Sequence, residues 1–178
     1  MIKLFGQITG GIMENYCPIF KFAVRKDLIN SEISFEPRKA HADDTGWDVK
    51  CAKSISIKAG QYAKIPLGIR VFAPTGWWLE LRPRSSTFTK KQLHCLYGVI
   101  DNGFESEICF AAYYCPDISS LGQDLKINFG DAIGQLIPIK RQEMKVEIIT
   151  NEDFETLCKE RNATRGIGGF GSSDKKNI

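Results

Sequence analysis

Short apolar and β-branched runs recur along most of the chain, at residues 55–57, 63–65, 69–72, 77–81, 98–100, 108–114, 133–139 and 146–149. Gly, Pro, Asn or Asp separates one run from the next; these residues supply turn geometry or remove a backbone donor. Such spacing predicts an all-β domain, a sandwich or barrel. A different period sets in near the end. Thr150 through Asp153 form a capping box, and Phe154, Leu157 and Cys158 fall on one helical face, predicting a single short helix. Another turn or two of helix is expected around residues 84–91, where Ser85-Ser86-Thr87 opens a helix-compatible stretch. The segment 116–128 is polar and shows little periodicity, so it reads as a surface loop or insertion. The organisation expected is an N-terminal extension over 1–17, a β-domain over 18–162 and a glycine-rich arm over 163–178.

The chain has 178 residues, the size of one ordinary domain. Its formal charge of +3 and the absence of basic runs longer than pairs such as Lys90-Lys91 give no footprint for stable nucleic-acid binding. No apolar stretch reaches the length of a membrane span and no signal peptide opens the chain, so a cytoplasmic location is expected. Six cysteines are scattered without a Cys-x-x-Cys pair, which excludes the usual zinc spacings and predicts small buried hydrophobes. His41 and His94 are the only imidazoles, so no histidine-based nucleophilic triad or zinc site is expected.

The arm Arg165-Gly166-Ile167-Gly168-Gly169-Phe170-Gly171-Ser172-Ser173 stands out. Glycines let a backbone approach a ligand closely, Arg165 can fork onto phosphate oxygens, and Ser172 can donate a hydroxyl hydrogen bond. A flexible tail would share the glycines and serines but has no use for the phenyl ring between Gly169 and Gly171; a lid stacking on a base does. The arm lacks the context of a P-loop or a dinucleotide-binding turn. Four earlier segments can also carry chemistry. In Asp43-Asp44-Thr45-Gly46-Trp47-Asp48-Val49 an acidic turn enters a strand and could hold a hydrated divalent cation, the bland reading being a solvated turn. Arg82-Pro83-Arg84-Ser85-Ser86-Thr87 can grip phosphate or merely start a helix. In Gly98-Val99-Ile100-Asp101-Asn102-Gly103-Phe104 the Asn-Gly pair predicts a hairpin, and Asp101 beside it can accept backbone amides or deprotonate a water. Gln135 interrupts the buried run of Gly130-Asp131-Ala132-Ile133-Gly134-Gln135-Leu136 and needs partners, of which a ligand could be one.

Taken in order, these five segments resemble the trimeric dUTP pyrophosphatases, the deoxyuridine triphosphate nucleotidohydrolases. That family's pattern runs Ala-Gly-x-Asp-Leu, Arg-Ser-Ser, Gly-Val-Ile-Asp-x-x-Tyr, Gly-Asp-x-Ile-Ala-Gln-Leu and Arg-Gly-x-Gly-Gly-Phe-Gly-Ser. The resemblance extends from about residue 18 to about residue 174. It implies a distorted jelly-roll or β-barrel fold with one short helix and a flexible C-terminal arm. It also implies a homotrimer with three shared sites and the hydrolysis of dUTP to dUMP and diphosphate with Mg²⁺. The biological consequence would be less uracil in DNA and a supply of dUMP for dTMP. Asp101 would be the base and contact the sugar hydroxyl, and Asp48 would reach the metal through water. Arg84, Ser85, Ser86 and Gln135 would hold phosphates, while the backbone of Gly98, Val99 and Ile100 would read the base. Phe104 would pack under the deoxyribose. From the arm, Arg165 and Ser172 would grip the terminal phosphates, Phe170 would stack on uracil, and Gly169 and Gly171 would allow close approach.

Phe104 stands where the family has tyrosine, and Gly103, Ser106 and Gly134 depart in a way that is similar to the sister dCTP deaminases. That alternative is weakened by Thr89, where the deaminases carry arginine, and Ala111, where they carry a catalytic glutamate; Glu107 nearby keeps it open. A third reading is a non-catalytic nucleotide sensor that uses the 116–128 insertion to bind a partner.

Overall fold

The computed structural model describes residues 17–120 and 122–162. Residues 1–16 of the expected N-terminal extension and all of the expected arm, 163–178, lie outside the described residues. The chain divides into two units, Met1–Gln142 and Glu143–Ile178.

The first unit is built from eleven antiparallel strands: β1 (Lys21–Val24), β2 (Trp47–Lys50), β3 (Ile55–Ile57), β4 (Tyr62–Pro66), β5 (Ile69–Phe72), β6 (Trp77–Pro83), β7 (Leu93–Cys95), β8 (Gly98–Ile100), β9 (Cys109–Tyr114), β10 (Leu125–Ile127) and β11 (Ala132–Lys140). They form a four-stranded sheet in the order β2-β11-β6-β8, a three-stranded sheet β4-β9-β7, and the pairs β1-β5 and β10-β3. Period-two alternation explains which face each strand buries. Ala63 and Ile65 of β4, Ile69 and Val71 of β5, and Phe110, Ala112 and Tyr114 of β9 point inward, while Lys64, Arg70 and Tyr113 point out. Sheet meets sheet where Gly134 of β11 lies against the Phe110 ring. A Cβ at position 134 would stand 3.0 Å from Phe110 Cδ2 and 3.2 Å from Leu81 Cδ1, which is why glycine suits this position. Phe110, Ile65, Ile108 and Ile133 are sealed from solvent, each worth about 1.5–3 kcal/mol of transfer free energy. The result is the jelly-roll-like architecture expected, without a closed barrel.

Helix α1 (Ser85–Thr89) follows β6 after one extended residue, Arg84, and ends near Gln92, whose φ of 53° places it in the left-handed region. That strained residue is held by its side chain: Gln92 Nε2 donates to Asp117 Oδ2 at 2.9 Å, and the Asp117 amide donates back to Gln92 Oε1 at 3.3 Å. In the second unit, helix α2 (Asn151–Arg161) starts as expected, the Thr150 hydroxyl accepting the Asp153 amide at 3.1 Å. Asn162 ends it in the left-handed conformation.

Three expectations need correction. Residues 146–149 are not a strand; Val146 and Ile148 are exposed and no ladder partner exists for them among the described residues. The 116–128 segment is only partly a loop, because β10 pairs with β3 and buries Ile127. The Asn102-Gly103 turn does not make a hairpin, since β8 pairs with β6 whereas β9 pairs with β4 and β7. The cysteine expectation holds for Cys51, which is buried, but Cys17, Cys115 and Cys158 are exposed. Burial pushes the Cys95 thiol up to about 12 and also raises Cys51. At about pH 8 a thiol-reactive aromatic disulfide should therefore label Cys115 and Cys158 and leave Cys51 and Cys95 intact, as read by mass spectrometry of peptides. Equal labelling of Cys95 would contradict its placement.

Candidate active site

Strand register creates the first cluster. Gln135 of β11 pairs with Asp48 of β2 on one side and Arg82 of β6 on the other. Their neighbours Val49, Leu81 and Leu136 are buried, so these three polar side chains share the opposite, outward face. Gln135 Nε2 donates to the Pro83 carbonyl at 3.0 Å, the partner that a glutamine in this run required. Gly46 is there to admit it: any side chain at 46 would collide with the Gln135 amide. One residue beyond Pro83, Arg84 forms an ion pair with Asp48, Nε to Oδ1 at 3.0 Å. With 36% and 25% of the two side chains exposed, the pair is only partly screened by water and holds the guanidinium over β2. Ser85 and Ser86 follow at the start of α1, Ser85 exposed and Ser86 half-buried. A guanidinium and two hydroxyls thus follow directly on Pro83, whose carbonyl the Gln135 carboxamide holds, and these donor types suit phosphate oxygens.

Asp101 lies elsewhere. Gly98 pairs with Leu81 and Ile100 with Leu79, so β8 carries the chain away from α1. Asp101 then opens a turn in which the Phe104 amide donates to the Asp101 carbonyl at 3.0 Å. Asn102 Nδ2 anchors the turn through the Ala73 carbonyl at 2.7 Å and the Pro74 carbonyl at 3.1 Å. The Asp101 carboxylate is exposed and makes no hydrogen bond or ion pair among the described residues. Phe104 is 38% exposed beside it. Six strand steps along β6 separate Asp101 from Arg84, on the order of 20 Å at roughly 3.3 Å per step. One chain therefore does not bring its Asp101 and its Arg84 to the same phosphate group.

Of the remaining expected residues, Asp43 and Asp44 belong to a turn. Asp44 Oδ2 accepts the His41 amide at 2.8 Å, and among the described residues no three His, Cys, Asp or Glu side chains are grouped to hold a metal ion. Arg165, Gly169, Phe170, Gly171 and Ser172 lie outside the described residues. Glu107, which kept the deaminase reading open, is committed to the fold: Oε1 accepts the Gly68 amide at 2.8 Å and Arg25 Nη1 at 3.1 Å. Ala111 faces Lys64 across β4 and β9 and has no proton to move. Sequence reasoning missed the Asp48–Arg84 pair, because it read the acid as a cation ligand and the base as a phosphate ligand in isolation. The complementary charges of the two motifs were the available signal.

Comparison with known proteins places the chain in a family. The dUTPase family model matches residues 34–174. The chain is 30% identical over 141 residues to the deoxyuridine 5′-triphosphate nucleotidohydrolase of Gloeothece citriformis, covering 77% of this chain and 87% of that protein. It is also 30% identical to the Mycolicibacterium gilvum enzyme of the same name, covering 77% and 86% of the two chains. Among solved structures, the Staphylococcus bacteriophage 80alpha dUTPase superposes with a TM-score of 0.70 at 20% identity, covering 86% of this chain and 97% of that one. By family model, by sequence and by fold, the chain belongs to the dUTPase family.

Proposed function

We infer that the protein performs the family's reaction, hydrolysis of dUTP to dUMP and diphosphate, at sites assembled from more than one copy of the chain. The separation of Asp101 from Arg84 carries this reading: the base must stand at the α-phosphorus and the cation at the leaving phosphates, only a few ångströms apart in one nucleotide. A homotrimer with shared sites resolves the conflict. It is supported by the exposed Leu96, Tyr97 and Val99 beside β8, and by residues 144–149, where exposed Met144, Val146 and Ile148 alternate with Lys145 and Glu147 like a strand awaiting a partner.

In this reading Asp101 takes a proton from an in-line water as its oxygen bonds to the α-phosphorus. The bond from that phosphorus to the bridging oxygen breaks, and diphosphate leaves with the electron pair. Arg84, Ser85, Ser86 and Gln135 of another copy hold the departing oxygens. The backbone of Gly98, Val99 and Ile100 reads uracil, and Phe104 packs under the deoxyribose, excluding a 2′-hydroxyl without a phenol contact. Arg165, Gly169, Phe170, Gly171 and Ser172 close over the site. The Asp48 side chain is 25% exposed on the outward face of β2, so its carboxylate fits one contact to the water shell of Mg²⁺, a dication of about six oxygen ligands that mostly come from phosphates and water. When bound, that ion would neutralise charge on the triphosphate. The reading takes the trimer as cytoplasmic and, with a formal charge of only +3, without stable hold on nucleic acid.

Incubation with dUTP, dCTP, dTTP and UTP plus Mg²⁺, followed by product identification, tests the substrate. Conversion of dUTP alone to dUMP and diphosphate is expected. Release of dUTP from dCTP would instead make the protein a deaminase.

A further inference from the structure

Strand β11 contains one residue too many for its neighbour. Ala132 pairs with Lys50 and Gly134 with Val49, so Ile133 is the extra residue of a bulge and has no register partner on β2 or β6. The bulge resets the alternation: Ile133 and Gly134 are both buried in succession, after which Gln135 faces outward. It also leaves the Ile133 carbonyl without a ladder donor, in the sealed interior. Thr87, the only buried polar side chain among the described residues and itself fully inaccessible, donates its hydroxyl to that carbonyl at 2.7 Å. The same residue closes the first turn of α1, its amide donating to the Arg84 carbonyl at 3.0 Å.

We propose that Thr87 is a positioning residue of the phosphate-holding segment. Its hydroxyl locks the turn bearing Arg84, Ser85 and Ser86 onto the bulge that aims Gln135, fixing the four donors relative to one another. The proposal rests on the reading of those four residues as phosphate ligands. Among the described residues no other hydrogen bond joins α1 to β11, so valine at 87, of nearly the same shape, would leave a buried carbonyl unpaired and free the turn to shift. A merely structural threonine would weaken every ligand alike or none.

The test is inhibition of dUTP hydrolysis by inorganic diphosphate and, separately, by dUMP, measured on the full chain. Thr87→Val should raise the inhibition constant of diphosphate and the KM for dUTP by about tenfold while shifting that of dUMP by no more than about twofold. Thr87→Ser, which keeps the hydroxyl, should retain wild-type diphosphate inhibition despite lower thermal stability. Unchanged diphosphate inhibition in Thr87→Val, or an equal weakening of both inhibitors, overturns the proposal. If the valine variant does not fold, the serine variant decides: preserved diphosphate inhibition supports the role and its loss refutes it. Arg84→Ala separates the two levels. Should that variant bind diphosphate like the wild type, the phosphate-site reading itself fails, whatever Thr87 does.

Discussion

Asp101→Asn is expected to lower dUTP turnover by about two to four powers of ten, the usual worth of a general base, with little change in nucleotide affinity or melting temperature. The carboxylate takes no part in the fold. Its turn is held by backbone and by Asn102, so an isosteric amide removes the proton acceptor and nothing structural. Single-turnover kinetics would measure the loss, and calorimetric titration with dUPNHPP, the compound with which the 80alpha phage enzyme was solved, would measure binding. A variant that kept wild-type turnover would remove Asp101 as the base. The geometry adds a sharper form of the experiment. Asp101→Asn and Arg84→Ala chains, each inactive alone, should regain activity when refolded together, because a site drawing Asp101 from one copy and Arg84 from another is intact in about a quarter of random combinations. Mixtures no more active than their parts would show that both residues serve the same chain's site.

Why this division was not legible in the sequence follows from what strand patterns encode. Alternation over five to nine residues locates β4, β6, β9 and β11 well, because each covers a buried core with every second side chain. It fails for β1, β7 and β10, which hold three or four residues and depend on partners far along the chain. Asn102-Gly103 is a sound hairpin signal locally, yet Gly103 does not adopt the left-handed conformation and the Asn102 amide is spent on the carbonyls of residues 73 and 74. Tertiary pairing of β8 with β6 overrides the turn preference. Residues 146–149 show the converse: the pattern suits a strand, but a strand exists only where a ladder is available. The chemistry was more visible than its placement. Asp48, Arg84, Ser85, Ser86, Gln135 and Asp101 were all read as candidates from residue type and motif. That Asp48 neutralises Arg84 emerges only in the folded chain, and that Asp101 lies on the order of 20 Å from Arg84 is a consequence of register.

Truncation immediately before Arg165 should leave a stable protein that hydrolyses dUTP at least about a hundredfold less efficiently. Stability should survive because the buried core described, from Leu28 to Leu136, packs within the β-domain that the cut leaves whole. Efficiency should fall for three separable reasons. Loss of Phe170 removes a stacking contact worth about 1–3 kcal/mol on the base. Loss of Arg165 and Ser172 removes charge-assisted hydrogen bonds to the terminal phosphates, and an uncovered site admits bulk water, which weakens every remaining electrostatic contact. The kinetic split tells them apart. If the arm holds substrate and transition state equally, KM rises with kcat unchanged; if it closes only as charge develops on the leaving diphosphate, kcat falls instead. Phe170→Ala in the full chain should reproduce the base-dependent part, raising KM for dUTP while sparing inhibition by inorganic diphosphate. Arg165→Ala should do the reverse. A truncated chain with wild-type kcat/KM would leave the glycine-rich arm without a catalytic role and would place closure of the site in the strands and turns of the β-domain itself.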